Sequence, residues 1–199
     1  SIGQNAFSNA SNLKIVDIPE LCTSIGTMAF SNSLECLVIR SNNITLSLRA
    51  FGYGQGSTRR IYFTKSTPPK SFQFQTFTSG EAFVWVPEGS KSAYETFFSG
   101  GGYTVKEGED FSLPLEIINP VNTELLNIAK SYDWVPNEAT YLTTLDCSQV
   151  NDSRLAAPGP SGYEDLETFP ELKYFLGITT IPTNLFSDSS FSGDIIVPD

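Results

Sequence analysis

The chain has 199 residues, 40% hydrophobic and 17% charged, with a net charge of -10 and a pI ≈ 4.4. That apolar share fills the core of one ordinary domain or two small ones and excludes wholesale disorder, while the acidic balance argues against a nucleic-acid partner. With no histidine in the chain, a Ser-His-Asp or Cys-His nucleophile, a histidine general base and any histidine metal site are excluded.

The chain opens on Ser1 with no basic segment leading into an apolar one, so any targeting signal is expected to be removed or upstream. No apolar run approaches the ~18 residues that span a bilayer, which predicts no membrane insertion. Internal repetition comes next. Ser1-Ile2-Gly3 recurs as Ser24-Ile25-Gly26, and Ala6-Phe7 recurs as Ala29-Phe30 and as Ala50-Phe51, at steps of 23 and 21 residues. Leu13, Val16 and Ile18 follow Phe7, and Leu34, Leu37 and Ile39 follow Phe30, with the spacing Leu-x-x-Leu/Val-x-Ile kept in both. A third copy decays to Thr58, Ile61 and Phe63. One unit of ~20–25 residues cannot bury its own apolar face, but stacked neighbours can. Val16 and Ile18 alternate with Asp17, the period of a strand, so stacked copies predict a parallel sheet with strands ~4.8 Å apart. The Ile-Gly-x-x-Ala-Phe segment is expected to form the opposite wall, its glycine permitting a turn and its phenylalanine filling the space between layers. Cys22 is expected in the core and Cys36, aligned with Ile15, on the outer side. With Cys147 there are three cysteines, an odd number without C-x-x-C spacing, so unpaired thiols are expected and zinc is not.

Parallel register sets the outward residues in columns: Lys14, Glu35 and Arg59; Ile15, Cys36 and Arg60; Asp17, Val38 and Tyr62. Apolar and aromatic groups beside arginine on a sheet face are what protein-binding surfaces use. The candidate ligand-binding residues are therefore Lys14, Ile15, Asp17, Glu35, Val38, Arg59, Arg60 and Tyr62. Gly52, Gly54 and Gly56 read as a turn between layers; they lack the following lysine of a phosphate-binding loop.

Ser-Ile-Gly-x-x-Ala-Phe followed by Leu-x-x-Val-x-Ile-Pro resembles the BspA-type leucine-rich repeat of bacterial surface proteins. Ile61-Tyr62-Phe63 before Thr67-Pro68-Pro69 is similar to that family's late repeats. Val86-Pro87-Glu88-Gly89-Ser90-Lys91-Ser92-Ala93-Tyr94 resembles its closing segment, in which a strand ends, Pro-Glu-Gly turns and a short helix covers the last layer. Ser92 and Glu95 are placed as a capping box for that helix. The resemblance implies an α/β solenoid, mostly β, a leucine-rich repeat stack with short helical caps.

Residues 1–106 hold nine Lys/Arg and six Asp/Glu, a net of +3, and residues 107–199 hold three and sixteen, a net of -13. The step falls at Gly100-Gly101-Gly102 and Gly108 and predicts a boundary. Residues 1–107 are expected to be the last repeats and cap of one array; residues 108–199 a linker, a helical lead-in segment and the first repeat of a second array. Asn122 to Lys130 reads as a helix capped by Asn122 or Thr123. The stretch from Asn137 through Leu142, Leu145 and Cys147 is expected to hold one strand, and residues 151–162 to be loop. Phe169 to Phe175 fits a short helix with proline in its first turn. Ile181 and Leu185-Phe186, then Ile195, Val197 and Pro198, repeat the first unit; Phe186 to Pro198 is 12 residues, as is Phe7 to Pro19. Stacks with bare edges predict either further chain at both ends or edges that meet a partner. Some relatives carry a calcium loop in the lead-in segment; Asp133-Trp134-Val135-Pro136-Asn137 lacks its ligand spacing, so neither calcium nor any cofactor is expected.

Paired carboxylates can support glycosidase chemistry, but Glu107, Glu109 and Asp110, or Glu164, Asp165 and Glu167, are sequence neighbours in expected linkers. No enzymatic activity is expected. The resemblance implies a secreted or cell-surface binding module, an adhesin with a protein or glycan ligand. The alternatives are a spacer presenting other domains, or an attachment component of a virion or filament.

Overall fold

The computed structural model describes residues 1–30, 34–51, 59–73, 82–99, 103–192 and 195–198. The glycine turn at 52–56, Thr58, the Gly100–Gly102 stretch and the Arg59 side chain lie outside the described residues. The chain divides into two compact units, Ser1–Glu107 and Gly108–Asp199. Among the described residues no helix is long and apolar enough to cross a membrane.

The first unit is a β-solenoid. It runs β1 (Ile15–Ile18), β2 (Ser24–Ile25), β3 (Cys36–Ile39), β4 (Thr45–Leu46), β5 (Arg59–Phe63), β6 (Ser71–Phe72), β7 (Ala82–Pro87), α1 (Lys91–Phe97) and β8 (Tyr103–Gly108). The odd-numbered strands and β8 form one sheet in the order β1-β3-β5-β7-β8, and β2, β4 and β6 form a second. Pairing is parallel from β1 to β7, with Val16 beside Leu37 and Leu37 beside Ile61. Ile18, Leu37, Ile39, Ile61, Phe63, Val84 and Val86 point into the space between the sheets, where Ile25, Leu46 and Phe51 meet them from the other wall. Cys22 joins this core at 6% exposure, as its place in the repeat predicts. Phe7, Phe30 and Phe51 stack face to face, with centroids 5.3 and 5.7 Å apart and planes within 12°. Each such pair contributes about 0.5–1.5 kcal/mol beyond its area burial.

A left-handed residue stands before Ala-Phe in all three copies: Asn5, Met28 and Arg49, at φ 58°, 52° and 54°. This turn lets one layer's backbone lie directly on the next. A Cβ added at Gly26 would sit 2.6 Å from the Gln4 nitrogen, so only glycine permits that approach.

The stack closes with α1. Its buried Tyr94 hydroxyl donates to the Lys65 and Thr67 carbonyls at 2.8 and 3.0 Å, and Phe98 packs on Phe63 and Phe72. The helix starts two residues earlier than the capping-box reading requires. Ser90 is its N-cap without a side-chain bond, the Ser92 carbonyl accepts from the Thr96 hydroxyl, and Glu95 faces Lys91 at 3.8 Å. The turn after Pro-Glu-Gly hands the chain to the helix at Ser90, which overrides the local capping signal.

The second unit is helical and has its own core around Leu125, Trp134, Leu155, Tyr163, Phe169, Leu172 and Phe175. The helix α2 (Thr123–Ser131) is capped by Asn122, whose side chain accepts from the Leu125 amide at 3.2 Å. The expected strand through Leu145 and Cys147 is instead a helix, α3 (Thr144–Ser148). Thr143 and Asp146 form a reciprocal capping box there and outweigh the β-like spacing of the apolar residues. Residues 151–162 are only partly loop: α4 (Asp152–Ala156) begins at Asn151, whose side chain accepts from the Arg154 amide at 3.0 Å. The short helix at Pro170–Tyr174 forms as predicted but is a 3-10 turn.

Candidate functional site

The outer face of the five-stranded sheet carries the residues singled out from sequence. Register brings Ile15, Cys36, Arg60 and Phe83 into one column and Asp17, Val38, Tyr62 and Trp85 into the next. Lys14 and Glu35 form an ion pair across β1 and β3. The Arg40 guanidinium, one residue past β3, clasps the Asp17 carboxylate with Nε and a terminal nitrogen, each at 2.8 Å. Lys65 reaches Glu20 at 2.6 Å, and that hydrogen bond and charge hold the Glu20 carboxyl below its ordinary value. Ion pairs therefore line the flank of the stack beside β1.

Exposure falls sharply across this face. Lys14 and Asp17 are exposed, and Ile15 and Glu35 are half-buried. Cys36, Val38 and Tyr62 are wholly buried, and Arg60 is 2% exposed. Sequence reasoning placed these four on the correct side of the sheet but did not show that this part of it is closed to solvent. Val38, Arg60 and Tyr62 consequently offer no open ligand surface in this conformation, and Cys36 is not a surface thiol. The reason is physical: period-two alternation says which face a residue is on, not whether that face is covered. A signal for cover was present. Cys36-Leu37-Val38-Ile39 and Ala82-Phe83-Val84-Trp85-Val86 are unbroken apolar runs, the mark of a parallel strand buried on both faces. Sequence reasoning also missed Arg40 and the end of the sheet, where the Lys106 ammonium lies 3.9 Å from the Phe83 ring centre and 5.7 Å from that of Trp85.

The second unit carries a cleft of about 530 Å3 that sequence reasoning did not find, with Glu116, Ile117, Asn122, Glu171, Lys173 and Tyr174 in its lining. Glu171 is buried, and its carboxylate accepts from the Asn122 amide at 3.2 Å. Burial pushes this carboxyl above its ordinary value, and the Asn122 bond and the Lys173 charge only partly offset that. An acidic residue directly after the proline of a short helix is the one sequence feature that locates it. Three of the carboxylates weighed for catalysis accept hydrogen bonds within the fold. Glu107 accepts from the Lys91 amide at 3.2 Å, Glu109 from the Asn151 side chain at 2.7 Å, and Asp110 from the Ser112 amide at 2.6 Å. Among the described residues, no group of three or more Cys, Asp or Glu is placed to hold a metal ion.

A family model described as the BspA type leucine rich repeat region matches residues 1–100, in 6 copies. No curated protein and no solved structure matches the chain.

Proposed function

Since the chain belongs to the BspA-type leucine-rich repeat family, we propose that it is a surface or secreted adhesin and carries no enzymatic activity. Its ligand is a protein or glycan of a host or neighbouring cell. Stacked repeats of this kind build extended surfaces for protein interaction, and the observation that carries the reading is the repeat match itself over half of the chain. The contact surface is the accessible flank of the outer face. Lys14, Asp17 and Glu35 supply fixed charges there, and half-buried Ile15 supplies apolar area between them. Arg59 is included in this proposed surface on its repeat spacing with Lys14 and Glu35 alone.

The test is a binding screen of the chain against matrix proteins and glycans, run beside a Lys14→Glu/Ile15→Ser variant. The Lys14–Glu35 pair is largely exposed, and such pairs add at most about 1 kcal/mol, so the variant keeps its fold. Saturable binding that is lost in the variant supports an adhesin working through this flank. Binding unchanged in a folded variant moves the site elsewhere. Absence of binding by both favours the spacer.

A further inference from the structure

The cleft of about 530 Å3 in the second unit is walled by segments that hydrogen bonds hold in place. The Thr144 amide donates to the Glu116 carbonyl at 3.0 Å and the Ile118 amide to the Leu142 carbonyl at 2.9 Å, which pins residues 116–118 beside the start of α3. Asn122, the cap of α2, uses both ends of its side chain. Its oxygen accepts from the Leu125 amide, and its nitrogen donates to the Thr168 carbonyl at 3.0 Å and to Glu171 Oε2 at 3.2 Å. The 3-10 turn Pro170–Tyr174 carries Glu171 against this cap.

Glu171 is 2% exposed and lines the cleft. A carboxylate taken out of water is ordinarily paired with a cation, because its lost hydration is otherwise uncompensated. Here only its own backbone amide, the Asn122 side chain and the Lys173 charge favour the ionised form, and they fall short of the burial penalty. Lys173 is not its ion-pair partner. That side chain is exposed, its Nζ lies 4.9 Å from the centre of the Tyr174 ring, and among the described residues it makes no ion pair. Glu116 and Glu124 bring the lining to three carboxylates against one ammonium, so an anion is opposed and a cation drawn in. Ile117 and Val121 stand 40 and 39% exposed along the cleft, apolar area suited to methylene groups. The Tyr174 ring already holds one cation. An ammonium or guanidinium on an aliphatic stem matches these features together.

We propose that this cleft recognises a basic side chain, lysine or arginine, of a partner polypeptide, its charged head paired with Glu171 and its stem laid along Ile117 and Val121. The site lies within the second unit and does not rest on the adhesin reading, which concerns the first. Binding carries a pH signature. The cation favours the ionised carboxyl, so affinity falls as pH drops below the raised Glu171 value, by at most about tenfold per pH unit for one proton. The charged and titratable groups around Glu171 are Lys173 on its own turn, Glu116 and Glu124 along the cleft, and Asp146 and Cys147 on α3.

An NMR titration of the full chain with Nα-acetyl-arginine methylamide and Nα-acetyl-lysine methylamide tests this. Nα-acetyl-norleucine methylamide serves as the uncharged stem and agmatine as a free amine. Saturable binding of a basic amide is expected, about tenfold or more tighter than the norleucine compound, with amide shifts clustered at residues 116–124 and 168–174. Glu171→Gln keeps an acceptor for Asn122, weakens binding about tenfold or more and removes the fall at low pH. Glu116→Gln, at an exposed position, weakens binding about two- to fivefold and keeps that fall, and it carries the test should Glu171→Gln misfold. Lys173→Gln removes the like charge and tightens binding by a similar factor. Failure of both basic amides to bind overturns the proposal, as does a norleucine compound that binds as tightly. Agmatine binding alone overturns the assignment to a polypeptide side chain. A folded Glu171→Gln chain with unchanged affinity, or shifts confined to other residues, overturns the site.

Discussion

Gly26 shows how a single residue sets the distance between layers. The repeat spacing marks it as a turn glycine, but its clash partner, the Gln4 backbone, is known only once layers stack. A backbone neighbour cannot swing aside, so Gly26→Ala is expected to cost about 1–3 kcal/mol. Gly3→Ala, with open space around it, should leave thermal denaturation unchanged. Glu171 is a different kind of residue. Its carboxyl is raised above an ordinary value of 4.5 by burial, so the folded state takes up a proton before the unfolded state does. Its contribution is fully present below the unfolded value and is lost as pH rises through the raised one. Glu171→Gln keeps an acceptor for Asn122 and removes the buried charge. Its melting temperature should exceed that of the wild type at pH 7, and the gap should close towards pH 4. A gap that is constant with pH would show that Glu171 is not the titrating group. Asp152 works in the opposite sense, its carboxyl held low by the Thr179 hydroxyl and the Thr180 and Thr179 amides. The support it gives to the turn at Thr179–Thr180 is present above the unfolded value and fades as pH falls through the lowered one.

At the scale of elements, strand pairing followed the sequence because a period of two leaves little freedom once one face is apolar. Ile15, Cys36 and Arg60 align as the repeat spacing requires. The short helices were less legible. Leu142, Leu145 and Cys147 carry apolar spacing compatible with either structure, and the choice fell to Thr143 and Asp146, whose reciprocal bonds cap α3. With Thr143 and Asp146 both buried, Thr143→Ala is expected to lower stability by about 1–2 kcal/mol, read as an earlier unfolding transition in urea. The closing helix α1 depends on tertiary contacts more than on its caps. Tyr94→Phe keeps the ring on Phe63 but leaves two carbonyls without their donor. A loss of about 1–3 kcal/mol is expected, with faster amide exchange across Lys91–Phe97 as its local signature.

The whole molecule is two compact units, one a β-solenoid and one helical. Cys22, Cys36 and Cys147 are all free and all buried, and burial, with the nearby Asp146 and Glu171 charges, raises the Cys147 thiol well above its ordinary value. A thiol reagent should therefore modify none of them in the native protein and all three after denaturation without reductant. Rapid labelling of Cys36 in the native state would instead show that the outer face opens. That face marks where sequence reasoning ended. By itself the sequence determined the repeat, the parallel register, the inward apolar rows and the side on which each outer residue lies. These follow from local periodicity and from the inability of one repeat to bury itself. Only the tertiary structure decided that Val38, Arg60 and Tyr62 lie beneath cover, that Arg40 clasps Asp17, and that Glu171 lines a cleft. Solvent access and side-chain pairing depend on groups distant in the chain, whose positions no local period encodes.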